Sequence, residues 1–493
     1  MDLTDLLTTK AMNKKSLFFY DLETSGFDKK EARIMQFAGR RTSMDLEVQG
    51  EPFNFLIKLS EDTLPDPGAI FVTGITPQKT LEDGITEAEF MKIFHEQISV
   101  PGTIFTGFNS VRFDDEFMRF LNYRNFYDAY EWEWKDGRGR WDLLDVVRMT
   151  RALRPAGIVW PNDSEGKPTN KLELLAKENN LIHTAAHDAL SDVEALIGLA
   201  QLIRSSNAKL FDYLLSVMTD KNKIEEIVKS GEPFIYTSGK YDGKYEKTTA
   251  VASVLAHPTR KAALVFDLRY SPDDYSKLSV EEILEHWKYS AEDEIKIPIK
   301  TLQFNRCPAI APLGVLDEAS QKRLSLSMKT VEGNFRKLQA IRPDFGEKIL
   351  KAVNILDEKQ DERSKEMVSS VDGQLYDNFI NPSDKIKMHI ITSANPTEIG
   401  ELQPGFKDVR LQGLLPLYKA RNFPKILTDE DRKIWDEHRT KRLVGDGENS
   451  RLKKYFNELN ELSQKSKLSK NQRYLLEELQ LWGQSIVPND YFD

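Results

Sequence analysis

Leu17-Phe18-Phe19-Tyr20-Asp21-Leu22-Glu23-Thr24 is an apolar run that ends in two carboxylates. Four large apolar side chains in a row suit a strand covered on both faces, as a central strand is. Asp21 and Glu23 are two apart, so on a strand both leave the same face and can share a metal ion. The ends of buried strands are also where α/β folds build active sites. With 78 acids in 493 residues, an acid-x-acid triplet also arises by chance on a surface strand edge. Other acids must converge on this one to make it a site.

Two more segments supply them. Asp114 closes Gly107-Phe108-Asn109-Ser110-Val111-Arg112-Phe113-Asp114 and opens a predicted helix. A helix-start aspartate is also favoured by the dipole, and Asp115 competes with it for the metal. His187-Asp188-Ala189-Leu190-Ser191-Asp192 sets a histidine five residues before an acid. On one continuous helix the two would point roughly 140° apart. His187 is therefore expected on the preceding loop and Asp192 on the first or second helical turn. A loop histidine titrating near neutrality suits a general base. Four acids drawn together at neutral pH need cations to neutralise them, and hard oxygen donors select magnesium or manganese. Their origin in three separate segments suggests a two-metal site for phosphodiester chemistry.

The bulk properties leave room for such an enzyme. A chain of 493 residues, 40% hydrophobic and 30% charged, is expected to form two to four globular domains. A net charge of −9 argues against a protein that coats nucleic acid indiscriminately, yet a basic groove can coexist with acidic outer faces. One cysteine, Cys307, excludes an intrachain disulfide and fits a reducing compartment. There is no basic start followed by an apolar stretch and no membrane-length apolar run, so the cytoplasm is the expected location.

Strand-like and helical segments alternate up to about residue 205, giving an α/β layer fold. Strands are expected at 16–22, 34–42, 53–59 and 102–108, with helices at 87–99, 114–123, 171–179 and 188–203. Segments from 233 to 304 read as a small β domain with a helical insertion near 280–289. The charged stretch 357–373 reads as a linker or loop. Beyond it, 429–442, 449–463 and 471–485 are amphipathic helix candidates.

The three acid blocks resemble the exonuclease motifs of the DEDD exonuclease superfamily, whose members share a ribonuclease H-like fold. Asp rather than Tyr at 188, with His187 five before Asp192, is similar to the histidine-containing subgroup. Later blocks narrow the resemblance: Tyr123-Arg124-Asn125-Phe126-Tyr127-Asp128, Arg140-Trp141-Asp142-Leu143-Leu144-Asp145-Val146, Leu153-Arg154-Pro155, Asn305-Arg306-Cys307-Pro308 and Tyr418-Lys419-Ala420-Arg421-Asn422-Phe423-Pro424. These resemble the bacterial exodeoxyribonuclease I family over nearly the whole chain. The resemblance implies a multidomain α/β protein: a ribonuclease H-like exonuclease domain (1–207), an SH3-like β domain (208–358) and a C-terminal helical domain (365–487). A three-part clamp of this kind can work as a monomer.

It further implies a 3′-to-5′ exonuclease that processively degrades single-stranded DNA to 5′-mononucleotides in repair or recombination. Asp21, Glu23, Asp114 and Asp192 would bind two Mg2+ ions, for which Mn2+ can substitute, and His187 would activate water. Glu23, Lys171, Arg119, Tyr130, Trp134 and Arg148 would contact substrate. The family often has arginine where this chain has Lys171; lysine keeps the charge but loses bidentate phosphate geometry. Aromatic rings interleaved with cations over 119–148 fit a single-strand track, although about half of those rings are expected in the core. Tyr130, Trp132 and Trp134 alternate with Glu131 and Glu133, which on an extended strand would set the rings on one side. Asp142 and Asp145 are read as helix or loop residues rather than ligands. Single-stranded-DNA-binding protein is the implied partner through its acidic C-terminal tail, with basic clusters at 439–442 and 451–454 as its candidate dock. The metal motifs alone leave RNA open as the substrate.

Overall fold

The computed structural model describes residues 15–182, 188–287, 296–366, 370–445, 447–465 and 467–488. Its first sheet has the order β3-β2-β1-β4-β5, built from β1 (Ser16–Thr24), β2 (Ile34–Thr42), β3 (Val48–Leu56), β4 (Thr103–Gly107) and β5 (Gly139–Asp142). β1 is central, which accounts for its apolar run: Leu17 and Phe19 enter one core, Phe18, Tyr20 and Leu22 the other. β1, β2 and β3 form an antiparallel meander, whereas β4 and β5 run parallel to β1. β3 begins earlier than the expected 53–59. Its first four residues are exposed, so no apolar alternation marks them.

Helices cover this sheet. Ala189–Met218 packs on β1 and β2, and Asn207 interrupts it with non-helical dihedrals (φ −147°, ψ 57°). A second five-stranded sheet follows, antiparallel throughout, in the order β10-β6-β7-β8-β9. Its strands are β6 (Phe234–Thr237), β7 (Thr248–Ala256), β8 (Ala262–Asp267), β9 (Ile299–Gln303) and β10 (Ala309–Pro312). The helical insertion expected near 280–289 is Val280–Trp287.

The linker or loop reading of 357–373 is corrected for 357–366; residues 367–369 lie outside the described residues, and Val371–Gly373 is a short 3-10 turn. A helix runs unbroken from Met328 to Glu366, with Pro343 inside it. Residues 358–363 near its end are polar and exposed, so they carry no apolar stripe, but Glu, Lys, Gln and Arg propagate a helix well once it is nucleated upstream. The C-terminal helices Asp429–Val444, Arg451–Ser463 and Lys470–Ser485 lie within two residues of their expected bounds.

The Lys470–Ser485 helix and an earlier one, Val409–Asn422, share cores with the first sheet's domain. Leu475, Leu479 and Trp482 pack with Met35 and Ile70, and Leu411, Leu414 and Tyr418 pack with Phe120, Tyr123 and Phe126. No helix among the described residues is long and apolar enough to cross a membrane.

Candidate active site

Asp21 and Glu23 lie near the C-terminal end of β1, on the face covered by the Ala189–Met218 helix. That helix starts after Asp188, whose side chain caps it by accepting the Ser191 N–H at 3.1 Å. Asp192 is thereby presented on the first turn. Carboxylate oxygens of Asp21, Glu23 and Asp192 lie within 4.8 Å of one another. Three of the four sequence-predicted acids thus converge.

Asp114 reaches the same place by another route. β4 ends at Gly107, where a Cβ would lie 2.4 Å from the Ser110 Cβ, so only glycine allows the tight turn that follows. Asn109 takes a left-handed conformation (φ 65°), and the Asp142 carboxylate accepts the N–H groups of Asn109 and Val111 at 2.9 and 3.3 Å. The Asp114–Arg124 helix then starts with a buried Asp114 whose charge acts on Asp21. Asp115, its rival, turns the other way: it takes the Tyr20 hydroxyl at 2.5 Å and pairs with Arg140. Asp142 is the N-cap of Leu143–Leu153.

Charge decides what this cluster can hold. Burial, then Asp114, Asp192 and Glu23, raise the Asp21 carboxyl well above its usual range. Burial, Asp192 and Asp188 push Glu23 up to about 8, and burial with Asp115 raises Asp114. Acids that raise one another in this way favour a bound cation, and the donor set is all carboxylate oxygen. Such a set fits Mg2+ or Mn2+. A second acidic group is a useful contrast. Asp62, Asp372 and His438 are equally close, but Arg421 bonds both acids at 2.6–2.8 Å and Arg33 bonds Asp372 at 3.1 Å. Despite burial, those arginines hold both carboxyls below their ordinary range. The second cluster is an ion network, its acids neutralised by arginines, joining the C-terminal helices to the first domain. Sequence reasoning missed it, since nothing local links Asp62 to Asp372.

His187 lies outside the described residues. Lys171 is exposed, 3.8 Å from Glu173. Tyr130 lies half-buried over the Arg119 guanidinium, 5.8 Å away. Arg119 itself is buried between Glu116 and Glu133 at 2.6 and 2.5 Å. Arg148 pairs with Asp145 at 2.6 Å and lies against Gly239 of the second sheet's domain. The extended-strand reading of 130–134 is corrected: a 3-10 turn, Glu131–Glu133, carries Trp132, with Tyr130 just before it and Trp134 between it and a second turn, Lys135–Gly137. Trp132 turns inward (1% exposed) and Trp134 outward (63%). Also unforeseen is a basic recess of about 230 Å³ between the two sheets' domains, lined by Lys29, Arg112, Lys240 and Arg306 among others. Burial and the charges of Arg112, Lys300 and Arg306 push the Lys240 ammonium down.

Comparison with known proteins places this geometry in a family. Three family models match consecutive parts of the chain: Exonuclease over residues 18–200, Exonuclease I SH3-like domain over 219–354, and Exonuclease I C-terminal domain over 369–486. Exodeoxyribonuclease I of Escherichia coli is 35% identical over 481 residues, which is 96% of this chain and 98% of that protein. The chain belongs to the exodeoxyribonuclease I family. As a member of the exodeoxyribonuclease I family it is a hydrolase of the 3′-to-5′ exonuclease type, with the α/β exonuclease, SH3-like and helical parts expected from sequence. Two solved structures resemble it across 96% of this chain and all of theirs, each at 34% identity. One is the zinc-ion-bound form of an E. coli exonuclease I–single-stranded DNA complex (TM-score 0.87), and the other is SSB/Exonuclease I with inhibitor CFAM (TM-score 0.85).

Proposed function

We propose that this chain is a magnesium-dependent exonuclease that removes 5′-mononucleotides processively from the 3′ end of single-stranded DNA, in repair or recombination. The observation that carries the reading is the convergence of Asp21, Glu23 and Asp192, with Asp114 acting on them, in a cluster whose charges need cations. Asp21, Glu23, Asp114 and Asp192 would hold two Mg2+ ions, with Mn2+ as a substitute. When bound, such ions supply positive charge that favours water ionisation and stabilises the leaving oxygen. His187, assigned by family resemblance, takes the proton from the attacking water. The water oxygen forms a bond to the terminal phosphorus, the bond to the penultimate 3′-oxygen breaks, and a 5′-mononucleotide leaves.

Single-strand binding needs stacking surfaces and a cationic track. Exposed Trp134, half-buried Tyr130 and exposed Lys171 supply candidates for both, and the recess with Lys29, Arg112, Lys240 and Arg306 extends the track. Glu23 would also meet the terminal nucleotide. Arg119 and Arg148 act from ion pairs, the first beneath the Tyr130 ring and the second at the seam between domains. The related DNA-bound structure supports this substrate, and SSB/Exonuclease I supports single-stranded-DNA-binding protein as partner. Of the basic clusters offered for its acidic tail, Arg439 and Arg442 bond inward to Ile486 and Asp62, while Lys441, Lys454 and the Glu31-paired Arg451 are exposed. We divide the chain at 1–207, 208–358 and 365–487; the helix break at Asn207 supports the first boundary.

The test is Asp21→Ala, assayed on labelled single-stranded DNA and on RNA of the same sequence. Hydrolysis in Mg2+ should disappear while DNA binding in EDTA persists, and the wild-type protein should prefer DNA. Retained Mg2+-dependent cleavage by the variant overturns the reading.

A further inference from the structure

We propose that Gln36 and Arg40 are positioning residues for Asp192, holding its helix to the sheet at two points on either side of that carboxylate. The inference rests on the reading of Asp192 as an ion ligand.

β2 pairs antiparallel with β1, and in that register Gln36 stands opposite Glu23, Ala38 opposite Asp21, and Arg40 opposite Phe19. Residues directly opposed across an antiparallel pair share a face. Gln36 and Arg40 therefore rise from the same side of the sheet as the two β1 acids, beneath the helix that brings Asp192. Each makes one tie to it. Gln36 is 6% exposed, and its Nε2 donates to Asp188 Oδ1 at 3.3 Å and to Asn54 Oδ1 at 3.0 Å. The other Asp188 oxygen caps the helix through Ser191 N–H. Four residues along β2, Arg40 forms an ion pair with Glu194. Positions 188 and 194 bracket 192, so rotation or sliding of this turn must break one tie or the other.

The chemistry of each tie is specific. Gln36 presents an amide N–H2 to two oxygen acceptors, and the flipped amide would set three oxygens against one another. A glutamate at 36 would add an anion beside Asp188 and Glu23. A hydrocarbon side chain would keep the packing but release the cap. The need for two ties follows from the ion: magnesium accepts oxygen ligands only within a narrow range near 2.0–2.1 Å, so a small drift of Asp192 degrades the whole set. Partners that orient ligands typically change metal affinity by about 10–100-fold when removed.

The test is Mn2+ titration of the DNA-free protein by calorimetry, comparing wild type with Gln36→Met and Arg40→Met. Each variant should bind Mn2+ about tenfold or more weakly. Their kcat should fall, while KM for single-stranded DNA and DNA affinity in EDTA stay near wild type and the protein in EDTA keeps a single cooperative thermal transition. Glu194→Gln loosens the second tie from the helix side and covers the case in which a β2 variant fails to fold. Variants that bind Mn2+ as tightly as wild type overturn the two-point tie and leave the nuclease reading standing. A wild-type protein that binds no ion overturns both.

Discussion

The Tyr376 hydroxyl donates a 2.5 Å hydrogen bond to Glu116, two residues after Asp114 on the same helix. Glu116 is 2% exposed and also pairs with Arg119 at 2.6 Å, with Arg306 of the second sheet's domain at 2.9 Å, and with Lys29 at 3.5 Å. Donors from all three parts of the chain meet on one carboxylate. Burial opposes its charge, but Arg119, Tyr376, Arg306 and Lys29 together hold it below the ordinary glutamate range. Glu116→Ala removes the acceptor shared by these donors, of which the buried Arg119 keeps Glu133, and should destabilise the junction by about 1–3 kcal/mol. Tyr376→Phe removes one hydrogen bond to a charged group, worth about 1.5–3 kcal/mol. Tyr376→Phe should therefore shorten the run per binding event on long strands and leave turnover of a short oligonucleotide near wild type. Single-turnover trapping with excess unlabelled DNA measures this.

The network of Asp62 and Asp372 predicts an acid-labile clamp. Both carboxyls are lowered in the folded protein, so their stabilisation is fully present above the unfolded value of about 3.9 and is lost as pH falls from there towards the folded value. Asp372→Asn should lower stability near neutrality, by about 3–5 kcal/mol for a broken buried network. It should also flatten the loss between pH 4 and 2.5. Denaturant midpoints across that range are the check, and parallel slopes in the two proteins would count against it.

The acids of the active-site cluster predict the opposite sign. Asp21, Glu23 and Asp114 have raised folded values, Glu23 to about 8. The metal-free native state therefore holds protons that the unfolded chain has released, and stability falls as pH rises from about 4 towards 8. Glu23→Gln removes one of the repelling charges. In EDTA at pH 8 it should melt at a higher temperature than wild type; adding Mg2+ should stabilise wild type strongly and the variant little. Thermal scans with and without Mg2+ at pH 5 and 8 test both halves.

How much of this was legible depended on range. The β1 run and its two acids were readable because burial on both faces and the period of two are local properties. Asp192 on a first helical turn followed from the same kind of local reasoning. Residues 357–366 were misread because the polar, exposed stretch 358–363 leaves no apolar period to detect. The meeting of Glu116 with Tyr376, and of Asp62 with Asp372, joins residues hundreds apart, and no spacing encodes such pairs. Gln36 and Arg40 carry no motif within the strand at 34–42, because what they touch is fixed only by register.

Trp132 and Trp134 show the same limit and give the sharpest mutational contrast. Alternation with glutamates suggested a strand with both rings on one side, but the 3-10 turn at Glu131–Glu133 turns them apart. Trp132 is 1% exposed, packs edge-on to Phe105 with centroids 5.0 Å apart, and donates its Nε1–H to Ala129 O at 3.0 Å. Trp132→Ala should cost about 3–5 kcal/mol of stability, the range for a large buried aromatic. Trp134 is 63% exposed and should be nearly neutral for folding. As a stacking platform it would contribute about 1–3 kcal/mol to single-strand binding. Trp134→Ala should thus weaken oligonucleotide affinity in EDTA by roughly 5- to 150-fold, the same range as a ratio, with an unchanged thermal midpoint. Fluorescence anisotropy on a labelled oligonucleotide would decide it, and an affinity equal to wild type would remove Trp134 from the DNA path.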